Sequence, residues 1–317
     1  MFDEYEDEVW QDFVFWVNER HKIFERKHLR GEDPPWTEDP ILQERHFCNV
    51  YRELDRTTRW YINNFVGDTD LSPQDHFLNS LILRTVNKPQ TMEVIGKQHV
   101  DSFDKDQIVS DVFGAEDDGT LDSTFSSAYM ITGAIGTSGE KKIQSYAREV
   151  WGYTAENIEQ YMWDDMTPEE WTEELTELPG VADFIAYEIY CDLTYHEFFP
   201  WDENDYVNPG PGARRCIQRL LGLEVNASKK QGVDYREHIE RIREHQDEWL
   251  PETFNKWEGN DLTLRGIEHS MCEVDKYRRS KDADTVRLKK HRPTEAALGI
   301  ENERDWNKEP QDTFSSF

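Results

Sequence analysis

The sequence has 317 residues and a formal net charge of -30, with 36% hydrophobic and 13% aromatic residues. This apolar content supports a packed core in one large domain or two smaller ones, which excludes a disordered chain despite a mean hydropathy of -0.88. The negative charge ordinarily disfavours nucleic acid as a partner, because phosphate contacts need lysine and arginine. Acidic residues spread along the whole length are also typical of adaptation to high salt, so composition alone leaves both interpretations open.

The four cysteines are far apart and form no C-x-x-C pair, which predicts neither a zinc site nor an iron–sulfur cluster. We therefore expect no metal and no cofactor. The acidic start is unlike a signal peptide, and no apolar run approaches membrane-spanning length. We expect a cytoplasmic protein with no membrane partner, in the host cell of a virus and favouring a halophilic host.

Hydrophobic periodicity predicts an amphipathic helix over residues 7–30, which carries Glu19 and Arg20. A Gly- and Pro-rich stretch ends it, and Thr37 or Asp39 is placed to cap a second helix. That second helix is predicted to include residues 47–56.

Asn49, Arg52 and Arg56 would share one face of the second helix, with Asp55 adjoining. A carboxamide beside two guanidiniums suits a phosphate or a carboxylate. A solvated salt-bridge face explains the same residues equally well.

An acidic, Trp-rich helical pattern stops at Leu178, where Pro179 and Gly180 give a turn, and an apolar run follows at once. Proline and glycine break helices, so the pattern predicts helix, hairpin, helix. Exposed N–H groups of such a hairpin can bind phosphate without a basic side chain. The alternative is a plain turn between two core helices.

Further along, Gly210-Pro211-Gly212 opens a predicted helix that is led by Arg214 and Arg215. This pattern suits an anion site, and it equally suits an ordinary helix N-terminus. Charged helices are predicted over 234–250 and 261–279. The sequence contains no G-x-x-x-x-G-K-[ST] loop and no dinucleotide-binding glycine pattern.

The hairpin resembles that of the helix-hairpin-helix DNA glycosylase superfamily, which implies an all-α, glycosylase-like helical fold. The superfamily spacing implies a catalytic aspartate at Asp202, with Asp205 one turn beyond. Ala182 replaces the second hairpin glycine, and Phe184 stands where bifunctional members carry a lysine, so lyase chemistry is not expected. We predict one domain over 1–282, with two lobes divided near residue 135 as the alternative, and a polar tail over 283–317.

Several separated motifs together resemble the alpha-glutamyl/putrescinyl-thymine pyrophosphorylase family, whose members are also described as amino acid:DNA transferases. They are Glu19-Arg20, Pro34-Pro35-Trp36-Thr37-Asp39, Phe47-Cys48-Asn49-Val50-x-Arg52-x-x-Asp55, the Leu178-Pro179-Gly180-Val181 hairpin with Asp192-Leu193-x-Tyr195, Gly210-Pro211-Gly212, and Cys272-Glu273-x-Asp275-Lys276-Tyr277.

The resemblance implies a role in viral thymidine hypermodification. A partner kinase would phosphorylate 5-hydroxymethyluracil in DNA, and this enzyme would replace the phosphate, or a pyrophosphate, with the amine of an amino acid or polyamine. Such chemistry needs an extruded or single-stranded base, cations for the leaving phosphate and a carboxylate for the amine proton. It also needs water to be kept out.

We assign candidate residues to these needs as hypotheses. The leaving phosphate would be bound by Arg20, Arg52, Arg56 and Lys276. The amine proton would pass to Glu19, Asp55 or Glu273, unless these carboxylates fix an arginine, and Asp202 or Asp205 would activate the amine or stabilise the base. The DNA backbone or the base would be bound by Pro179, Gly180, Gly210, Gly212, Arg214 and Arg215, with Asn49, and with Trp36 and Tyr195 stacking on the base.

Two other functions are compatible with the sequence. A monofunctional DNA glycosylase would use Asp202 to assist departure of a modified base, leaving abasic sites. A non-catalytic acidic DNA mimic or scaffold would show no turnover at all.

Overall fold

A computed structural model describes residues 2–126, 142–227 and 231–282, and these parts of the chain are helical without any β-strand. The predicted all-α class is therefore confirmed. The predicted lobe boundary near 135 and the predicted tail over 283–317 lie outside the described residues. No helix among the described parts is long and apolar enough to span a membrane.

The chain forms two compact units. The first unit combines Met1–Arg52 with the chain from Pro209 onward, and the second unit is Glu53–Asn208. The first unit is therefore assembled from both ends of the chain. Whether residues 1–282 make a single domain stays a prediction.

The helices of the N-terminal part of the first unit begin with an amphipathic segment whose apolar side, including Phe13 and Trp16, is completely buried. A π-helical turn continues it, and a short capped helix follows after a loop. In chain order these elements are α1 (Asp7–Phe24), the π turn (Glu25–Leu29), α2 (Pro40–Glu44) and a 3-10 turn (Arg52–Leu54), which begins at the last residue of the unit's first segment.

The second unit is built around a long buried helix that begins at a capping box, in which the Ser72 and Asp75 side chains each bond the other residue's backbone N–H. Its helices in chain order are α3 (Arg56–Phe65), α4 (Pro73–Val86), α5 (Pro89–Ile95), α6 (Lys105–Asp117), α7 (Lys142–Ser145), α8 (Tyr153–Glu156), α9 (Pro168–Leu175) and α10 (Asp183–Leu193). A π segment over Tyr146–Gly152 and 3-10 turns over Val100–Ser102 and Ile158–Tyr161 connect some of them.

The first unit resumes with α11 (Pro211–Leu220), α12 (Tyr235–Glu244), α13 (Gln246–Trp249), a 3-10 turn (Trp257–Gly259) and α14 (Leu264–Lys281). Among the described elements, α11 and α14 make the most extensive helix–helix contact. Helix α14 also packs on α1 and α12. It is therefore the central element of this unit.

The second predicted helix is wrong beyond Glu44. Asp39 does cap α2, by accepting from the N–H groups of Ile41 and Leu42 at 2.9 Å, but the helix ends after five residues. In a continued helix the Cys48 N–H would bond four residues back, whereas it bonds Glu273 on α14 instead. Asn49, Arg52 and Arg56 therefore do not share one helical face.

The predicted order of helix, hairpin and helix around Leu178 is present as α9, a tight turn and α10. Gly180 adopts φ +80°, which favours glycine, and the Val181 N–H donates to the Leu178 carbonyl at 3.0 Å. Ala182 precedes α10 without a side-chain cap. The further step, that this pair belongs to a glycosylase-like core, stays a prediction.

A buried ion cluster joins α4 to α10 in the second unit. The guanidinium of Arg84 donates to Glu188 at 2.7 Å and, through Nε, to Asp192 at 2.6 Å, and Ser80 donates to the same Asp192 oxygen at 3.0 Å. The three charged side chains are at most 3% exposed. The position of Asp192 in the sequence motif is thus explained by its part in holding α10 against α4.

Candidate functional site

A polar stripe runs along α14 and faces two loops of the first unit. Arg265 and Glu268 lie buried near its beginning, and Glu273 and Lys276 lie further along, with 12% and 24% of their side chains exposed. Residues three, four and seven apart lie on one side of a helix. Glu268 contacts the Gly210 loop, whereas Glu273 and Lys276 contact the segment that carries Phe47 and Cys48.

Glu273 is anchored through one of its two oxygens. Its Oε2 accepts the Cys48 N–H at 3.2 Å and the Lys276 ammonium at 2.6 Å. The same ammonium lies 4.6 Å from the ring centroid of Phe47, a cation–π contact. Oε1 of Glu273 makes no hydrogen bond to any described residue. The carboxylate is thus held in place through Oε2, and Oε1 is open.

Arg20 approaches the same loop from α1. Its Nε and one terminal nitrogen both donate to the Phe47 carbonyl at 3.3 Å. Phe47 itself is 4% exposed and contacts Trp16 and Tyr277 through its ring. The Phe47–Cys48 backbone is therefore bound by both Arg20 and Glu273, which brings three separated sequence motifs together.

Glu19 fixes an arginine, which is one of the two roles considered for it. Its carboxylate accepts from Arg26 at 3.0 Å, and Arg26 also donates to the Trp36 carbonyl. The Trp36 indole N–H donates to the Glu32 carbonyl at 2.6 Å, and the Lys27 ammonium lies 5.2 Å from its ring centroid. Glu19 thereby shapes the loop that holds half-buried Trp36.

The residues predicted as one clamp are divided between the units. Asn49 and Arg52 are half-buried at the end of the first segment of the first unit, whereas Asp55 and exposed Arg56 lie in the second unit, just before α3 and at its first residue. Within the first unit, Asn49 and Arg52 follow directly after the anchored Phe47–Cys48 loop. Their assigned roles stay predictions.

The Gly210 loop is bound to α14 by an internal anion. The Gly210 N–H donates to Glu268 at 2.8 Å, so this part of the predicted anion site already has a carboxylate from the protein. A Cβ placed on Gly212 would lie 2.3 Å from the Cys272 sulfur, a distance that real contacts do not tolerate. Both glycines therefore have packing roles inside the unit, and their assignment to DNA stays a prediction.

The two arginines after this loop differ in their partners. Arg214 donates through Nε to the Pro209 carbonyl at 2.7 Å, and its guanidinium lies 6.0 Å from the Tyr235 ring centroid. Arg215 instead pairs with Asp275 on α14 at 2.8 Å. Both side chains are half-buried, and their DNA-binding role stays a prediction.

Cys272 lies in the middle of the polar stripe. Burial raises the pKa of its thiol, and the negative charges of Glu268 and Glu273 raise it further, while Lys276 opposes them. The thiol is therefore neutral and serves as packing against Gly212 rather than as a nucleophile.

The assigned residues of the second unit lie around α10. Pro179 is exposed in the turn before this helix, Gly180 follows it, and Tyr195 is half-buried just past the end of the helix. Asp202 and Asp205 are exposed and close their own loop: Asp205 accepts the Asp202 N–H at 2.9 Å, and Asp202 accepts the Asn204 N–H at 2.6 Å. These bonds give both aspartates a local structural role.

Sequence reasoning missed the buried charges Glu268, Arg265 and Asp275, which are at most 4% exposed. Their spacing along α14 alternates with apolar residues and predicts a solvated side. The loop at Gly210 contacts Glu268, and two arginines of α11 contact Asp275. In the described parts of the chain, no group of three or more His, Cys, Asp or Glu side chains is arranged to hold a metal ion.

Comparison with known proteins places the chain in a family. Residues 7–287 match the model of the family described as "5-hmdU DNA kinase, helical domain", and the chain belongs to this family. It is 27% identical over 293 residues to a 5-hmdU DNA kinase of Bacillus phage SP10, in a match that covers 85% of this chain and 45% of the relative. The chain thus spans about half the length of that relative. No solved structure matches it.

Proposed function

From membership in this family we propose that the chain acts in thymidine hypermodification, on DNA that contains 5-hydroxymethyluracil or its phosphorylated form. In particular, we propose that it replaces the phosphate of 5-phosphomethyluracil in DNA with the amine of an amino acid or polyamine. The kinase named for the relative would make the substrate of this reaction. The partners are then the modified DNA, a small amine and, through the shared pathway, a 5-hydroxymethyluracil DNA kinase.

The observation that carries this proposal is the anchored carboxylate of Glu273 with its open Oε1, set among cations. In the reaction the exocyclic carbon–oxygen bond breaks, and phosphate leaves with both electrons. The amine nitrogen forms the new bond to that carbon, and its proton passes to a carboxylate. Glu273 is the base in this assignment, and Lys276, Arg20 and Arg52 supply positive charge for the departing phosphate.

The other assigned residues keep the roles proposed for them from the sequence. Asp202 or Asp205 would activate the amine or stabilise the base, with Asp55 and Glu19 as the remaining carboxylates and Arg56 as a further phosphate ligand. The turn at Pro179 and Gly180, with Gly210, Gly212, Arg214 and Arg215, would bind the DNA backbone. Asn49, Trp36 and Tyr195 would contact the base.

Phosphorylation of 5-hydroxymethyluracil is the second candidate, and the printed name of the relative favours it. Two facts weigh toward amine transfer. The sequence has no G-x-x-x-x-G-K-[ST] loop to cradle a nucleotide, and the match covers 45% of the relative, which leaves more than half of that protein for other activities.

Nucleoside analysis distinguishes the candidates. The chain is incubated at high salt with DNA containing 5-phosphomethyluracil and a panel of amines, and separately with 5-hydroxymethyluracil DNA and ATP. A heavier nucleoside carrying the amine supports the proposal. A phosphorylated nucleoside made with ATP identifies a kinase, free base with abasic sites identifies a glycosylase, and no product in any arm overturns all three.

Glu273→Gln tests the assigned base, because glutamine keeps the side-chain shape but cannot take the proton. We expect amine transfer to fall by roughly 100-fold or more, with an unchanged melting temperature. The matched control is Glu248→Gln, which removes a carboxylate from α13 that is exposed and paired with His245. Arg52→Ala should likewise abolish transfer in a folded protein. Full activity of either site variant would remove that residue from the site.

A further inference from the structure

A single buried carboxylate in the first unit is surrounded by three arginines. Asp275 on α14 is 0% exposed. Arg215 donates to it at 2.9 and 2.8 Å, Arg279 at 3.0 Å, and Arg219 approaches at 3.4 Å. Arg215 and Arg219 lie one turn apart on α11, and Arg279 lies one turn beyond Asp275 on α14. We call these four residues the Asp275 cluster.

The cluster holds more positive charge than Asp275 needs. One guanidinium balances one carboxylate, so three leave a local net charge of +2. The whole chain has 36 Lys and Arg against 66 Asp and Glu, so three adjacent arginines are not what its composition predicts. The three guanidiniums repel one another, which lowers the stability of the folded chain. A negatively charged ligand would reduce this repulsion.

The guanidiniums present their terminal nitrogens outward. Arg219 and Arg279 use only Nε to reach Asp275, and Arg215 uses Nε and one terminal nitrogen. The remaining terminal nitrogens make no hydrogen bond to any described residue. The three side chains are 27%, 23% and 30% exposed in the order 215, 219, 279. Asp275 thus fixes the Nε edges and leaves several donors at the surface.

We propose that the Asp275 cluster binds the phosphate backbone of the DNA substrate, an inference that rests on the proposed function for the choice of DNA. Guanidiniums fixed on one edge bind phosphate oxygens with little loss of rotamer freedom. Of the three arginines, only Arg215 was assigned to DNA from the sequence; Arg219 and Arg279 are new. The cluster supplies the local positive charge that a chain of net charge -30 needs to approach a polyanion.

The test is the salt dependence of DNA binding. A fluorescent duplex containing 5-hydroxymethyluracil is titrated with the full chain over a range of KCl concentrations, and binding is followed by anisotropy. For the double variant Arg219→Gln/Arg279→Gln we expect the slope of log K against log salt to become shallower by about 2, close to one per lost phosphate contact. Arg215 is retained so that Asp275 keeps its closest partner and the fold is preserved.

The matched control is Arg148→Gln/Arg241→Gln, which removes the same charge from two surface arginines paired with Glu149 and Glu4. The control slope should equal that of the unchanged chain. Equal slopes for both double variants, whether unchanged or equally reduced, would overturn the proposal.

Turnover separates this inference from the proposed function. If the chain transfers amines, the cluster variant should raise KM for DNA and leave kcat nearly unchanged. If no variant shows turnover but the salt-dependence slopes differ, DNA binding by the Asp275 cluster is supported and the proposed reaction is contradicted. If turnover is present and the slopes are equal, the reaction stands and the cluster falls.

Discussion

The Asp275 cluster of the first unit can be compared with the buried ion cluster of Arg84, Glu188 and Asp192 in the second unit, which we call the Arg84 cluster. Arginines outnumber carboxylates in the Asp275 cluster, and carboxylates outnumber arginines in the Arg84 cluster. Three arginines meet one wholly buried aspartate in the first, and one arginine meets Glu188 and Asp192 in the second. In the second unit every charged member is buried. In the first unit the arginines reach the surface. Burial of the whole set indicates a structural role, whereas the buried anchor with partly exposed donors is the arrangement on which the proposed DNA binding rests.

Arg84→Met should have the largest effect on stability. Methionine fills much of the same volume, but it leaves two buried carboxylates without this partner, and breaking a buried ion pair costs about 3–5 kcal/mol. Urea unfolding followed by circular dichroism measures the change. Arg148→Met, at an exposed arginine that pairs with Glu149, is the control and should change the stability by less than about 0.5 kcal/mol. A loss below about 1 kcal/mol for Arg84→Met would contradict the structural role.

Acid should weaken the second unit through His196. The His196 ring shares a hydrogen bond with the Tyr61 hydroxyl at 2.8 Å, and its centroid lies 4.3 Å from that of the His76 ring. Burial lowers the pKa of His196 from 6.5 to about 3, and the neighbouring His76 contributes to this shift. The unfolded chain therefore takes up the proton first as the pH falls. The neutral ring makes its full contribution to the free energy of unfolding above about pH 6.5. This contribution falls as the pH is lowered toward 3, and the loss at pH 4 is about 3 kcal/mol.

Stability measured between pH 7 and 4 tests this prediction, with His196→Gln as the comparison because glutamine cannot titrate. The decline should be shallower in the variant. Superimposable pH profiles would show that the His196 ring does not titrate as expected.

Asp275→Asn should have a smaller effect than Arg84→Met. It removes the charge that fixes three guanidiniums, but water can solvate these partly exposed groups once the carboxylate is gone. We expect a loss of about 2 kcal/mol in the free energy of unfolding. Asp247→Asn, at an exposed partner of Lys256, is the control. A loss equal to that of Arg84→Met would erase the distinction drawn between the two clusters.

Local signals in the sequence predicted the helices well where capping and periodicity decide the structure. Asp39 marks the start of α2, and the Pro-Gly turn separates α9 from α10. The segment after Glu44 could not be predicted in this way. Its backbone bonds go to Arg20 and Glu273, which lie 27 and 225 residues away in the sequence, and no local propensity contains that information.

The candidate site shows the same division. The motif residues Arg20, Glu273 and Lys276 were identified from the sequence, and the structure brings them to the Phe47–Cys48 loop. Asp275 was identified only as part of a motif, with no role assigned to it, and the structure buries it against arginines of α11. A charge is buried only by what packs on it, so the cluster became visible only when two distant helices were placed together.

The contact between Gly212 and Cys272 has a mechanical consequence. The backbone of α11 at Gly212 lies directly on the Cys272 side chain of α14. The distance between these two helices therefore depends on the absence of a side chain at residue 212. A methyl group added at residue 212 would force α11 and α14 apart and move Arg215 and Arg219 away from Asp275. The DNA binding proposed for the Asp275 cluster therefore depends on residue 212, a position that bears no charge.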